Sequence, residues 1–206
     1  MESKVRITGG HLSGRSIAVK PKRWEVRPST DIARQGLMNY LDASLDWSTI
    51  RALDLFAGTG ALGLECLSRG ASKLVSMDLH PEALGHLRQL RQQWDLKEWH
   101  IAGADLLAKG KADGSAFPWK MTERLSELAD DPAPFDLVVA DPPYGDPRLE
   151  GFADAILDGP LLSTEGILVI EHAVTYRRIS LHYGPSKVLI YGQSQFSIFE
   201  KRTLPR

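Results

Sequence analysis

Asp54-Leu-Phe-Ala-Gly-Thr-Gly-Ala-Leu-Gly63 joins an apolar run to a helical one through a glycine-rich turn. Arg51-Ala-Leu-Asp-Leu-Phe56, which leads into it, is short and apolar as a buried strand is, and Gly60 to Arg69 reads as a helix ending at Gly70. Gly58, Gly60 and Gly63 thus fall as G-x-G-x-x-G between a strand and a helix, with Asp78 eighteen residues past Gly60. Glycines allow a tight turn and let a ligand approach the main chain. An acid ending the second strand can bind a ribose diol, so the pattern suits a nucleoside-bearing cofactor.

Downstream, Lys73 to Asp78 is a second strand, and Pro81 opens a helix at its favoured first position. Ala83, Leu84, Leu87, Leu90 and Trp94 recur along that helix at helical spacing. His100 to Gly103, Phe135 to Asp141 and Gly166 to Glu171 read as strands three to five. Strands separated by helices of this length indicate βαβ units and a parallel sheet covered on both faces. Lys187 to Tyr191 and Phe196 to Lys201 flank Gly192-Gln-Ser-Gln as an antiparallel hairpin that closes the sheet.

Upstream, residues 4–10 and 15–19 suggest a small hairpin, and Asp31 to Leu41 a helix with Ser29, Thr30 or Asp31 as N-cap. The expected division is a basic N-terminal arm and helix over 1–45 on the substrate side, then a main domain over 46–206. That domain carries an inserted helix and loop at about 109–134.

A chain of 206 residues with 43% apolar side chains suits one packed domain and a small appendage. No run approaches the roughly 20 apolar residues of a membrane span, and the start lacks a signal-peptide core. The single Cys66, inside the apolar helical stretch Ala61 to Leu67, suits a reduced, cytoplasmic protein. Six scattered histidines show no metal-ligand spacing, so no metal is expected. A net charge of −1 excludes a uniformly basic nucleic-acid coat, yet residues 1–34 carry eight Lys and Arg against Glu2, Glu25 and Asp31, a local +5. A basic arm of this kind fits a phosphate backbone as well as an ordinary solvated surface.

Asp54 bears on the cofactor. An acid four residues before the first glycine suits the cationic amino-acid end of S-adenosyl-L-methionine and would repel the pyrophosphate of a dinucleotide. Asp105, after the third strand, sits where a loop side chain can reach an adenine amino group. The candidate cofactor set is Asp54, Phe56, Gly58, Gly60, Asp78, Leu79, Asp105 and Leu106. The candidate catalytic set is Asp141-Pro142-Pro143-Tyr144, directly after the apolar strand Phe135-Asp-Leu-Val-Val-Ala. An aryl amine is a poor nucleophile because its lone pair is delocalised into the ring. Acceptors for its N–H bonds pull it towards tetrahedral geometry, the prolines aim their carbonyls, and Tyr144 can stack on a base.

Three further segments narrow the reading: Arg6-Ile-Thr-Gly-Gly-His-Leu-Ser-Gly-Arg15, Arg27-Pro-Ser-Thr-Asp-Ile-Ala-Arg-Gln-Gly-Leu-Met-Asn39 and Gly60-Ala-Leu-Gly-Leu-Glu-Cys-Leu-Ser-Arg-Gly-Ala71. With the two sites above, they resemble the bacterial RsmD family over nearly the whole chain. The resemblance implies a class I, Rossmann-like S-adenosylmethionine-dependent methyltransferase fold and methylation of guanine N2 in small-subunit (16S) ribosomal RNA. It also implies an RNA grip from the arm, for which Arg6, Arg15, Arg27 and Arg34 are the candidates. The chain departs from the family in the first helix, where Ile32-Ala-Arg34-Gln35 replaces the usual Arg-Val-Arg-Glu, and in its longer 109–134 stretch. A monomer acting on a partly assembled small subunit is expected. The alternatives weighed are an N-methyltransferase on DNA adenine or cytosine or on tRNA, an NAD-dependent oxidoreductase, and a non-catalytic RNA-binding assembly factor.

Overall fold

Each of the five expected parallel strands pairs into one sheet, and the closing hairpin completes it at seven strands. The computed structural model describes residues 3–19, 30–107, 134–176 and 178–203. A short hairpin comes first, β1 (Ser3–Arg6) with β2 (Ser16–Val19), then helix α1 (Asp31–Asp42). The sheet follows as β3 (Arg51–Leu55), α2 (Ala61–Ser68), β4 (Lys73–Asp78), α3 (Pro81–Gln93), β5 (Trp99–Gly103), β6 (Phe135–Ala140), α4 (Phe152–Asp158), β7 (Leu162–Ala173), β8 (Lys187–Tyr191) and β9 (Ser194–Glu200). Its order is β5-β4-β3-β6-β7-β9-β8, parallel except for β9, which runs antiparallel between β7 and β8. Because the chain builds outward from β3 in both directions, a crevice opens at the carboxyl ends of β3 and β6, where ligands bind in open α/β sheets.

The sequence reading passed over α4, whose seven residues lie between Gly151 and Gly159 and are too few to display a period. It also shortened β7. The strand begins at Leu162, which pairs with Phe135, and a bulge over residues 163–166 precedes the regular pairing with β6 and β9 from Ile167. The inserted stretch, Pro134 excepted, and Arg27 lie outside the described residues.

Two apolar clusters line the two faces of the sheet. One contains Leu53, Leu55, Val138, Ala140, Leu168 and Ile170 with α4. The other contains Ala52, Leu137, Val139, Ile167 and Val169 with α1, α2 and the β1–β2 hairpin, through Val5, Ile7, Leu12 and Ile17. Cys66 lies buried in this second cluster, and burial pushes its thiol far above the ordinary range, as befits an inert packing residue.

The first and third resembling segments prove to be two halves of one contact. Glu65 accepts from the Thr8 amide at 2.8 Å and from Thr8 Oγ1 at 3.0 Å. Ser68 Oγ donates to the Gly9 carbonyl at 2.5 Å and accepts from the Leu12 amide at 2.9 Å. The Ser68 carbonyl accepts from the His11 amide at 2.8 Å, so the N-terminal turn satisfies the end of α2. Gly10 makes this approach possible: its φ is +75°, and a Cβ there would lie 1.8 Å from the Ser68 carbonyl oxygen. Gly10→Ala will therefore destabilise the fold by about 2–4 kcal/mol, read as a lowered denaturation midpoint at unchanged slope.

Candidate active site

The loop after β3 is wound in the left-handed region at Phe56 (φ 59°), Gly58 (φ 53°) and Gly60 (φ 79°). Phe56 adopts that conformation although it is not glycine, and its ring packs at 5.6 Å from Phe152 of α4. Gly63 answers to packing: a Cβ there would sit 2.6 Å from Asp54 Oδ2. The first turn of α2 therefore closes directly over the Asp54 carboxyl.

Asp54 is 2% exposed. Its Oδ2 accepts from Ser76 Oγ at 3.3 Å, and Ser76 Oγ accepts in turn from Trp99 Nε1 at 2.9 Å. Ser76 and Trp99 are site residues that the sequence reading missed, since only the β3–β4–β5 pairing puts them beside Asp54. Burial, with the nearby Asp78 acting in the same direction, raises the Asp54 carboxyl from 3.8 to about 7, against the smaller opposing effect of the Ser76 and Gly63 hydrogen bonds. Asp78, 6% exposed, accepts from the Gly58 amide at Oδ2 and the His80 amide at Oδ1, both at 2.8 Å. It therefore ties the glycine loop to the end of β4, and each oxygen keeps a further lone pair for a hydroxyl. Asp105 accepts from the Leu107 amide at 3.1 Å, beside buried Leu106, whereas Leu79 is exposed. Two buried carboxyls at one crevice offer acceptors that fit a ligand bearing a cation and a diol, whose cation would favour the ionised form of Asp54.

Asp141 follows β6 on the same face as Asp54, because Asp54 pairs beside Val139 and the faces alternate. Burial first, then the charges of Glu171 and Asp54, raises its carboxyl well above the usual carboxylate range. Pro142 is buried and Pro143 exposed. Tyr144 is 45% exposed, with its hydroxyl donating to Glu171 Oε1 at 3.1 Å and lying 3.0 Å from Ser194 Oγ. Glu171 and Ser194 were not foreseen, because they reach the motif only through β7 and β9. Among the described residues no three His, Cys, Asp or Glu side chains gather as a metal site.

Among the described arginines of the basic arm, Arg34 departs from the expectation of a phosphate grip. Arg34 is fully buried, with Nη2 donating to Asp31 Oδ1 at 2.6 Å and to the Arg6 carbonyl at 2.8 Å, and Nε lying 3.7 Å from Glu65 Oε1. A guanidinium enclosed by carboxylates in the core cannot reach an RNA phosphate. Arg15 lies 5.3 Å over the ring of Trp94, past the carboxyl end of α3, at the sheet edge opposite Asp141. Arg6 keeps an exposed side chain. Ile32 and Gln35, the departures in α1, lie on its exposed face, so the fold does not need the charges they replace. Two exposed arginines do follow strands ending at the catalytic edge: Arg148, held by Asp146, and Arg178, paired with Glu150 at 2.5 Å. No helix of the described residues is long and apolar enough to cross a membrane.

Residues 5–200 match the family model described as Conserved hypothetical protein 95. The chain is 32% identical over 173 residues to ribosomal RNA small subunit methyltransferase D of Escherichia coli K12, covering 83% of this chain and 76% of that protein. The Haemophilus influenzae protein of the same name is 25% identical over 170 residues, covering 82% and 79%. Among solved structures, a hypothetical protein of Thermus thermophilus superposes with a TM-score of 0.74 at 24% identity, over 95% of this chain and 99% of that one. An RNA methyltransferase of Salinibacter ruber in complex with S-adenosyl-L-homocysteine superposes with a TM-score of 0.58 at 12% identity, over 87% and 97%. The interlocked N-terminal turn and α2, the glycine loop and the Asp141–Tyr144 turn thus lie on the fold of the class I methyltransferases, and the chain belongs to the conserved hypothetical protein 95, or RsmD, family.

Proposed function

We propose that the protein transfers a methyl group from S-adenosyl-L-methionine to the exocyclic N2 amine of a guanine in small-subunit ribosomal RNA. The observation that carries the reading is the placement of Asp141-Pro142-Pro143-Tyr144 at the same crevice and on the same face as Asp54. When bound, the cofactor supplies an electrophilic methyl group. Asp54 faces its amino-acid end, Asp78 its ribose, and Asp105 its adenine, with Leu79 and Leu106 as apolar neighbours. Asp141 and the Pro142 carbonyl accept the two N–H bonds of the target amine and turn its lone pair towards the methyl group. Tyr144 receives the base on its open face. No base need act beforehand, because the methylated ammonium is acidic and loses its proton afterwards.

The guanine must leave its stack to reach this turn, since an amine cannot be remodelled inside a helix. Arg148 and Arg178 at the catalytic edge, with Arg6 and Arg27 of the arm, are the proposed phosphate contacts. They position RNA, while shape and the surrounding particle select the base. With a net charge of −1, non-specific affinity is modest, so the preferred substrate is a partly assembled small subunit, met by a monomer in the cytoplasm.

Methylation with tritiated cofactor on naked ribosomal RNA, assembled small subunits, DNA and tRNA tests the reading, with the modified base mapped afterwards. Label on a guanine of small-subunit RNA is expected, and label on DNA or tRNA alone would displace the substrate assignment. Arg148→Glu and Arg178→Glu together are expected to weaken RNA binding by about tenfold or more and to flatten its salt dependence, while Arg15→Glu changes neither. Equal effects of the two changes would return Arg15 to the RNA surface.

A further inference from the structure

The inner face of β7 reads Ile167, Val169, Glu171: two residues of the apolar cluster, then a carboxyl that is 2% exposed. An apolar side chain would continue the packing, and a buried carboxyl beside Asp141 opposes it. Breaks of this kind in an otherwise consistent strand concentrate at functional sites. What Glu171 does in exchange is visible in its partner, the hydroxyl of Tyr144, which is also in reach of Ser194 Oγ.

The two contacts come from neighbouring strands. Register places Glu171 opposite Phe196 and Ala173 opposite Ser194, so the β7–β9 ladder fixes the separation between the two anchors. A phenol has one proton to give and lone pairs to receive, so donation to Glu171 and acceptance from Ser194 satisfy it together. Burial chiefly, with the Glu171 and Asp141 charges in the same direction, keeps the hydroxyl protonated and hence a donor. Pro143 lacks an amide hydrogen and holds φ near its ring value, so the ring is restrained at its root as well as its tip.

We infer that Glu171 is a positioning residue for methyl transfer: with Ser194 it grips the Tyr144 hydroxyl and pre-sets the ring on which the target base stacks. The inference rests on the methyltransferase reading above and assigns a role to a residue outside the Asp141–Tyr144 motif. A ring ordered before the base arrives does not have to be ordered by the base, so the gain appears in the use of RNA and not in cofactor binding.

The test reads the contact and its consequence separately. In protein labelled with 13C at the tyrosine ζ carbon, the Tyr144 resonance is identified by its loss in Tyr144→Phe. It is expected to shift in Glu171→Gln and in Ser194→Ala, without any substrate present. Tyr144→Phe and Glu171→Gln should each lower kcat/KM for RNA about tenfold, the double variant should lower it no further, and affinity for S-adenosyl-L-homocysteine should stay within about twofold of wild type. Ser194→Ala, which leaves the carboxyl untouched, serves as a second variant, expected to cost about threefold in kcat/KM. An unmoved Tyr144 resonance in both strand variants, or multiplicative losses in the double variant, would overturn the inference. A wild-type protein that methylates no RNA would instead remove the reading beneath it, an outcome distinguishable because the spectrum needs no activity.

Discussion

Replacing Asp141 with alanine will lower the rate of methyl transfer about 10³-fold and leave the affinity for S-adenosyl-L-homocysteine within about twofold of wild type. In the proposed reaction the amine meets two aimed acceptors, the Asp141 side chain and the Pro142 carbonyl. Losing one leaves the amine free to stay planar, with its lone pair in the ring. The carbonyl of asparagine also accepts an N–H bond, so Asp141→Asn should retain roughly ten times more activity than alanine. Burial first, then the charges of Glu171 and Asp54, raises the Asp141 carboxyl, so a neutral side chain of the same shape is tolerated there. The measurement is single-turnover transfer to small-subunit RNA together with a calorimetric titration of cofactor product. An alanine variant that keeps most of its transfer rate would remove Asp141 from the reaction.

Asp54→Asn will act in opposite directions on stability and on cofactor binding. Burial raises the folded-state carboxyl from 3.8 to about 7, so between those values the folded chain holds the proton more tightly than the unfolded chain. Stability therefore falls as pH rises from about 4 to about 7 and is lowest, as far as this group goes, above 7. A shift of about three pH units corresponds to on the order of 4 kcal/mol, so the ligand-free asparagine variant should exceed wild type by up to that amount at pH 8 and by little near pH 4. Asp141 contributes with the same sign, and losing the Asp54 charge eases its burden as well, so the two effects add in the variant.

Cofactor binding should run the other way. Only the ionised carboxyl attracts the ammonium of the amino-acid end. Wild-type affinity for S-adenosyl-L-homocysteine should thus fall by up to about tenfold per unit as pH drops below 7. The asparagine variant should bind about 10²-fold more weakly at pH 8 and show a flatter profile. Identical pH profiles of binding in the two proteins would separate Asp54 from the cofactor.

Gly58, Gly60 and Gly63 with Asp54 and Asp78 marked the strand–turn–helix crevice from the chain alone, because these elements are adjacent in sequence and obey local rules. Asp141-Pro142-Pro143-Tyr144 was legible for the same reason: the whole turn is contiguous, and its proline geometry travels with it. The apolar periods likewise announced the strands and α3. Local order along the chain was therefore enough for the fold class and for locating the glycine loop and the Asp141–Tyr144 turn.

Everything that depends on one strand lying beside another was decided by the tertiary structure. Ser76 and Trp99 complete the Asp54 site only because β4 registers against β3 and β5 against β4. Glu171 reaches Tyr144 because β7 lies beside β6, and Ser194 because β9 enters antiparallel beside β7. The arm shows the same limit from the other side. Composition counts Arg34 as a basic charge, but cannot tell a guanidinium sealed between Asp31 and Glu65 from one facing solvent. Charge is a property of the residue, whereas its availability to a phosphate is set by which carboxylates and rings the fold brings within a few ångströms.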